Sequence, residues 1–164
     1  MKKIIALVLF SGSLHAQEMS TSDKAYFMMI DKLLSHSVEE IFVDEVNQLS
    51  DVIWLDARES KEYEVSKIEN SIWVGYDDFA LSRVSEIEKD KEIIVYCSIG
   101  YRSEKIAEKL KKAGYENVKN LYGGIFSWVN QELPIYDSLN DQTNRIHGYS
   151  RVWGVWLQKG KKVY

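Results

Sequence analysis

Ile93-Ile94-Val95-Tyr96-Cys97-Ser98-Ile99-Gly100-Tyr101-Arg102-Ser103 passes from a strand-forming run, through a short turn, into a helix. The first four residues are β-branched or aromatic, as a fully buried strand requires. From Ser103 the pattern changes. Ile106, Ala107, Leu110 and Ala113 fall on one helical face, while Glu104, Lys105, Glu108, Lys109, Lys111 and Lys112 fall elsewhere. The spacing predicts a helix over 103–113, with a glutamate in its first turn and lysines in its last, as the macrodipole favours. Gly114 is the expected left-handed stop.

Outward from this unit the same alternation continues. Short apolar runs at 41–43, 52–55, 72–74 and 118–122 are candidate strands, and the stretches 59–65, 78–87 and 125–131 between them are candidate helices. Strands alternating with helices imply an α/β domain with a central, largely parallel sheet and helices on both faces. Upstream, residues 20–37 carry apolar residues at roughly helical spacing and form a candidate helix packed on the domain. Downstream, residues 137–148 are polar and loop-like, and Trp153 and Trp156 follow in 151–157. Two tryptophans left in water would forgo a large apolar burial, so the tail is expected to fold back.

The 164 residues are 45% apolar and 28% charged, the make-up of one soluble domain large enough to fold without disulfides or a structural metal. A formal net charge of -4 gives no basic footprint for nucleic acid or anionic lipid. Met1, Lys2 and Lys3, the apolar run 4–10 and the small or polar residues 11–16 read as a secretory signal cleaved after Ala16. The apolar run is too short to span a bilayer, and no membrane association is expected after cleavage. The expected location is periplasmic or secreted. In that oxidising setting the single cysteine, Cys97, has no internal disulfide partner.

The chemistry concentrates at Cys97, between the strand ending at Tyr96 and the helix near Ser103. Ligands of parallel α/β sheets bind beyond the carboxyl ends of the strands. A turn of this kind aims backbone amides at one point above the sulfur, and the helix N-terminus and Arg102 add positive charge. Gly100 supplies a residue free to take positive φ. Such a nest favours an anion and yields a thiolate nucleophile without a general base. One cysteine and two histidines past the signal, His36 and His147, are too few and too scattered for a metal site, and no cofactor is expected.

Three motifs in order resemble a rhodanese-like domain over 41–136: Leu55-Asp56-Ala57-Arg58-Glu59 with Glu62 and Tyr63; the loop Cys97 to Ser103; and Tyr122-Gly123-Gly124 followed by Trp128 and Leu133-Pro134. The resemblance implies a three-layer fold over 41–136, and the residues outside it are read as the signal 1–16, a helical extension 17–40 and a tail 137–164 packed on the domain. It implies sulfurtransferase chemistry in which Cys97 attacks a thiosulfate-like donor, becomes a persulfide and passes sulfur to a thiol or other thiophilic acceptor, a protein acceptor included. By position, the amides of Ser98, Ile99, Gly100, Tyr101, Arg102 and Ser103 would cradle the persulfide and Arg102 would bind the anionic donor. Where the family usually has Gly-His-Ile and then Gly-Ala, this chain has Ser66-Lys67-Ile68 and Asn70-Ser71. Asp56 and Arg58 are read as a pair that fixes neighbouring loops. Two other function classes fit parts of the pattern: a protein-binding module on the same fold, and a phosphatase or arsenate reductase, whose cysteine loops also close on arginine. Four residues separate Cys97 from Arg102, where the related phosphatase loops carry five.

Overall fold

A computed structural model describes residues 20–164. The signal reading at 1–16 lies outside the described residues. In chain order the elements are α1 (Thr21–Leu33), β1 (Glu39–Ile41), β2 (Ile53–Asp56), α2 (Ser60–Val65), β3 (Ile72–Trp73), β4 (Glu92–Tyr96), α3 (Tyr101–Lys112), β5 (Asn117–Leu121), α4 (Gly124–Asn130), β6 (Ile135–Tyr136), β7 (Gln142–Thr143), β8 (Arg145–His147) and β9 (Lys161–Val163). Strands β1 to β5 form one all-parallel sheet in the order β1-β5-β4-β2-β3.

β4 lies at the centre because both its faces are apolar. Ile94 and Tyr96 pack with Tyr26 and Ile30 of α1 and Ile125 and Phe126 of α4. Ile93 and Val95 point the other way, to Ile106 and Leu110 of α3. The period-two alternation therefore serves two cores, one on each face. β2 connects through α2 to one edge of the sheet and β4 through α3 toward the other, so the connections leave these two neighbouring parallel strands in opposite directions across the sheet. The carboxyl ends of β2 and β4 thus flank a crevice of the kind in which open α/β sheets bind ligands.

The tail folds onto the α1 and α4 face. The Trp156 ring lies 5.5 Å from that of Tyr26, the Asn130 side-chain amide donates to the Trp156 carbonyl at 2.9 Å, and Leu157 is buried. β8 and β9 pair in parallel beside it.

Five expectations from the sequence need correction. The helix over 20–37 stops at Leu33, and the loop-like stretch 137–148 contains β7 and β8. The first strand is Glu39–Ile41 rather than 41–43; Val43 enters the core as loop, and the Phe42 ring packs 4.8 Å from that of Tyr122. The helix expected over 78–87 is only a 3-10 turn, Leu81–Val84. Arg83 donates to Asp78 Oδ2 and to the Val74 carbonyl, each at 2.7 Å, and residues five apart on a regular helix do not share a face. The central helix begins at Tyr101, not Ser103, which puts Arg102 in its first turn.

The departures at 66–71 are accommodated. Asn70 takes φ 56, a left-handed conformation that asparagine tolerates where glycine is usual. Lys67 and Tyr136 exchange backbone hydrogen bonds at 2.8 and 2.9 Å, and the Ile68 amide donates to the Tyr96 hydroxyl at 3.1 Å.

Candidate active site

Cys97 leaves β4 at the crevice, and the next residues curl back over it. Gly100 has φ 112 and its N–H donates to Cys97 Sγ at 3.2 Å. A Cβ at Gly100 would meet only ordinary contacts from 3.5 Å outward, so the positive φ, rather than space, is what asks for glycine.

The loop is held by its carbonyls. Those of Cys97 and Ser98 accept the Ile125 and Phe126 amides of α4, at 2.9 and 3.1 Å. These donors belong to the first turn of α4, where backbone N–H groups have no partner within the helix. The Gly100 carbonyl accepts the Glu104 amide, the Ser103 hydroxyl and the Asn120 side-chain amide, at 3.0, 3.1 and 3.0 Å. In a trans peptide the carbonyl and the following N–H point in opposite directions, so the Ser98 and Ile99 amides turn away from α4.

This close docking explains the glycine pair. Gly124 has φ 55, and a Cβ there would strike the Cys97 carbonyl oxygen and come within 2.7 Å of Ile99 N and the Ser98 carbonyl carbon. Asp56 and Arg58 are both fully buried. Arg58 donates to Asp56 through Nε and Nη2 and to the Ser66 carbonyl at 2.6 Å, tying the end of β2 to the 66–71 loop.

Arg102, expected to offer a free charge to an anionic donor, is already engaged. Its Nη1 and Nη2 donate to Glu62 Oε2 and Oε1 at 2.7 and 2.9 Å, and Nη2 also donates to Ser98 Oγ at 2.9 Å. Glu62 is fully buried, reaches from the first turn of α2, and accepts the Ser98 hydroxyl at 3.0 Å and the Glu59 amide at 3.1 Å. Burial opposes its ionisation, but the Arg102 and Arg58 guanidiniums outweigh that and hold the carboxyl below its ordinary range. Burial likewise disfavours the Arg102 charge, and its hydrogen bonds to Glu62 raise its pKa regardless.

Removing one partner of a buried ion pair leaves the other uncompensated, at a cost of about 3 to 5 kcal/mol. Glu62→Ala is expected to lose about 3 kcal/mol in urea unfolding, at the low end because 11% of the Arg102 side chain stays exposed. Glu62→Ala/Arg102→Ala should lose less than the sum of the single variants, since each single loss includes the stranded partner. Because the folded pKa of Glu62 is depressed, its contribution is present in full above 4.5, the ordinary glutamate value, and is lost as pH falls through the lower folded pKa.

Above the sulfur lies a cavity of about 200 Å³, lined by Leu33, Cys97, Ser98, Ile99, Tyr101, Arg102, Tyr149 and Trp153. Gly100 and Ser103 stand behind it. Ser103 is buried and bridges the Gly100 carbonyl to Asn120 Oδ1, 2.6 Å away, so it braces the loop. Neither His36 nor His147 lines the cavity. His147 is buried in the tail, where its Nδ1 accepts the Tyr149 amide at 3.0 Å. Desolvation lowers the His147 pKa, which favours the neutral ring that this acceptor role needs. Tyr149 has φ 60, and its ring covers the Arg102 guanidinium at 4.9 Å. A bulky residue in the left-handed region costs about 1 to 3 kcal/mol and persists only where its surroundings impose it.

Sequence reasoning missed four of these residues. Glu62 stood in a quoted motif without a role, and Leu33, Tyr149 and Trp153 lie outside all three motifs. The two tryptophans of the tail were a signal of burial, but nothing local marked where they would pack.

Comparison with known proteins agrees with this architecture. A family model described as Rhodanese-like domain matches residues 41–131. A protein of Allochromatium vinosum named sulfurtransferase is 32% identical over 107 residues, covering 65% of this chain and 95% of that one. The tRNA uridine(34) hydroxylase of Photorhabdus laumondii is 35% identical over 113 residues, 62% of this chain. The match spans only 32% of the hydroxylase, about a third of its length. Among solved structures, a Bacillus halodurans protein has a TM-score of 0.56 at 23% identity, covering 71% of this chain and 87% of its own. The thiosulfate sulfurtransferase of Pseudomonas aeruginosa has a TM-score of 0.56 at 22% identity, covering 71% of this chain and 23% of its own. At these identities the two structures speak for the fold. With more than half of its length matched by the family model, the chain belongs to the rhodanese-like domain family.

Proposed function

We propose that the protein moves sulfane sulfur through a Cys97 persulfide, from a thiosulfate-like donor to a thiophilic acceptor. The observation that carries this reading is the Gly100 N–H on Cys97 Sγ at 3.2 Å, at the base of the cavity. The thiolate is the attacking form, and the backbone donor holds the sulfur in place at the base of the cavity. The thiolate attacks the outer sulfur of the donor, a new S–S bond forms, and the donor's own sulfur bond breaks with its electron pair. From thiosulfate the leaving group is sulfite, and Cys97 carries a persulfide anion. An acceptor thiolate then takes the outer sulfur and returns the Cys97 thiolate, so no proton donor is needed in either half. Ser98, Ile99, Tyr101 and Arg102 would line the bound sulfur, with Gly100 donating to it and Ser103 bracing the loop.

The test is intact mass. Wild-type protein exposed to thiosulfate or an organic thiosulfonate should gain about 32 Da, one sulfur, and cyanide should remove it as thiocyanate. Turnover of an aryl phosphate without any sulfur adduct would instead favour the phosphatase class.

Export belongs to the same proposal. The mature chain should begin near Gln17 and be found outside the cytoplasm, as N-terminal sequencing of protein from a bacterial host would read. A cytoplasmic product that keeps Met1 would overturn it.

A further inference from the structure

The cavity walls come from opposite ends of the chain. Leu33 ends α1, and Tyr149 and Trp153 belong to the tail, so all three lie outside the segment 41–131 that matches the family model. Each is fixed in place. The Ser35 and Ser37 amides, just past α1, donate to the buried Glu104 carboxylate at 3.1 Å, which pins the end of α1 against α3. Trp153 opens a 3-10 turn whose other end, Trp156, is tied to Tyr26 and Asn130. Tyr149 is held at positive φ by its bond to His147.

The walls are apolar and the charge is spent. Leu33, Ile99, Tyr101, Tyr149 and Trp153 surround the space, and the one charged lining residue among the described residues, Arg102, is neutralised by two hydrogen bonds to Glu62 and covered by the Tyr149 ring. A small dianion gains little from a cation already paired, whereas an apolar group leaving water gains in proportion to the area it buries. The volume, about 200 Å³, is below the roughly 300 to 1,000 Å³ of pockets for drug-sized ligands, so the group is compact.

We propose that Leu33, Tyr149 and Trp153 are specificity-determining residues that select a sulfur donor carrying a compact apolar group, such as a single aromatic ring or a short alkyl chain. The proposal rests on the persulfide reading above. With an organic thiosulfonate the Cys97 thiolate takes the terminal sulfur, the S–S bond forms, the bond between that sulfur and the sulfonyl sulfur breaks, and the organic sulfinate leaves with the electron pair. The organic group stays against the three walls throughout.

The test compares benzenethiosulfonate with methanethiosulfonate, which share the reacting bond and the charge and differ in the apolar group. Loading of the full chain is followed by intact mass, and turnover by thiocyanate release to cyanide. Wild type should favour the benzene compound by about tenfold or more in kcat/KM, the scale on which apolar pockets discriminate. Trp153→Ala and Leu33→Ala should each cut that ratio about fivefold. If Trp153→Ala does not fold, Leu33→Ala, at a helix end, carries the comparison. Loading by both compounds with equal rate constants, or a ratio that neither variant moves, overturns the proposal and leaves the persulfide reading standing. Failure of wild type to gain sulfur from thiosulfate and from both organic donors overturns the two together.

Discussion

Cys97→Ser is expected to reduce sulfur transfer by at least about a thousandfold while leaving the fold in place, the scale seen when an enzyme loses its nucleophile. Serine has nearly the shape of cysteine, and its oxygen can accept the Gly100 N–H that now meets Sγ at 3.2 Å. An alkoxide is not available at neutral pH, and a hydroxyl cannot hold a sulfane sulfur. The variant should gain no mass with any donor. Its unfolding free energy should stay within about 1 kcal/mol of wild type, because one hydrogen bond replaces another. Transfer at the wild-type rate by the serine protein would sink the persulfide mechanism, whereas a wild type that gains no sulfur from any donor would favour the protein-binding module.

Gly124→Ala should cost far more stability than one methyl group usually does. The added Cβ would meet the backbone of Cys97, Ser98 and Ile99, and backbone atoms on both sides leave no flexible end to move aside. The left-handed φ of 55 adds strain of about 1 to 2 kcal/mol for a residue with a Cβ. We expect a total of about 3 to 5 kcal/mol, in the range of the most severe packing defects, or a protein that folds with α4 pushed off the loop and the Ile125 and Phe126 hydrogen bonds broken. Sulfur loading should then fail in whatever fraction folds. Gly114→Ala is the control. It too has positive φ, at 90, but no atom lies within 4 Å of its added Cβ, so only the backbone strain of about 1 to 2 kcal/mol should appear in urea unfolding. Equal losses at the two positions would show that the close approach of α4 to the loop is not what requires Gly124.

Much of the fold was legible because its signals are local. The run 93–96 is strongly apolar on both faces, and the strand is Glu92–Tyr96. The apolar stripe reveals the helix after the loop but not its first two residues, because Tyr101 and Arg102 carry no stripe and line the cavity instead. Glu39 and Glu40 look unlike strand residues, yet at the sheet edge they pair with Lys119 and Asn120 of β5, and Lys119 Nζ lies 3.5 Å from Glu39. No periodicity could reveal that, since the reward comes from a strand far along the chain. In the candidate site, Cys97 and Gly100 were legible as neighbours in one turn. The Glu62–Arg102 pair and the Leu33, Tyr149 and Trp153 walls were not, for they meet only when α1, α2 and the tail converge. The same convergence is why the sequence offered Arg102 as a free charge and the fold withholds it.

The docking of α4 on the Cys97 loop also bears on the order in which the molecule can assemble. The loop carbonyls find their amide partners on a helix that follows β5, so the turn around the sulfur cannot be set by β4 and α3 alone. The walls at Leu33 and Trp153 lie further apart along the chain still. Bringing distant segments together must be done before their contacts reward it, which makes such steps slow although the equilibrium cost of a long loop rises only logarithmically. Until α4 and the tail have docked, the thiol on β4 therefore has neither the helix that braces its loop nor the walls of its cavity.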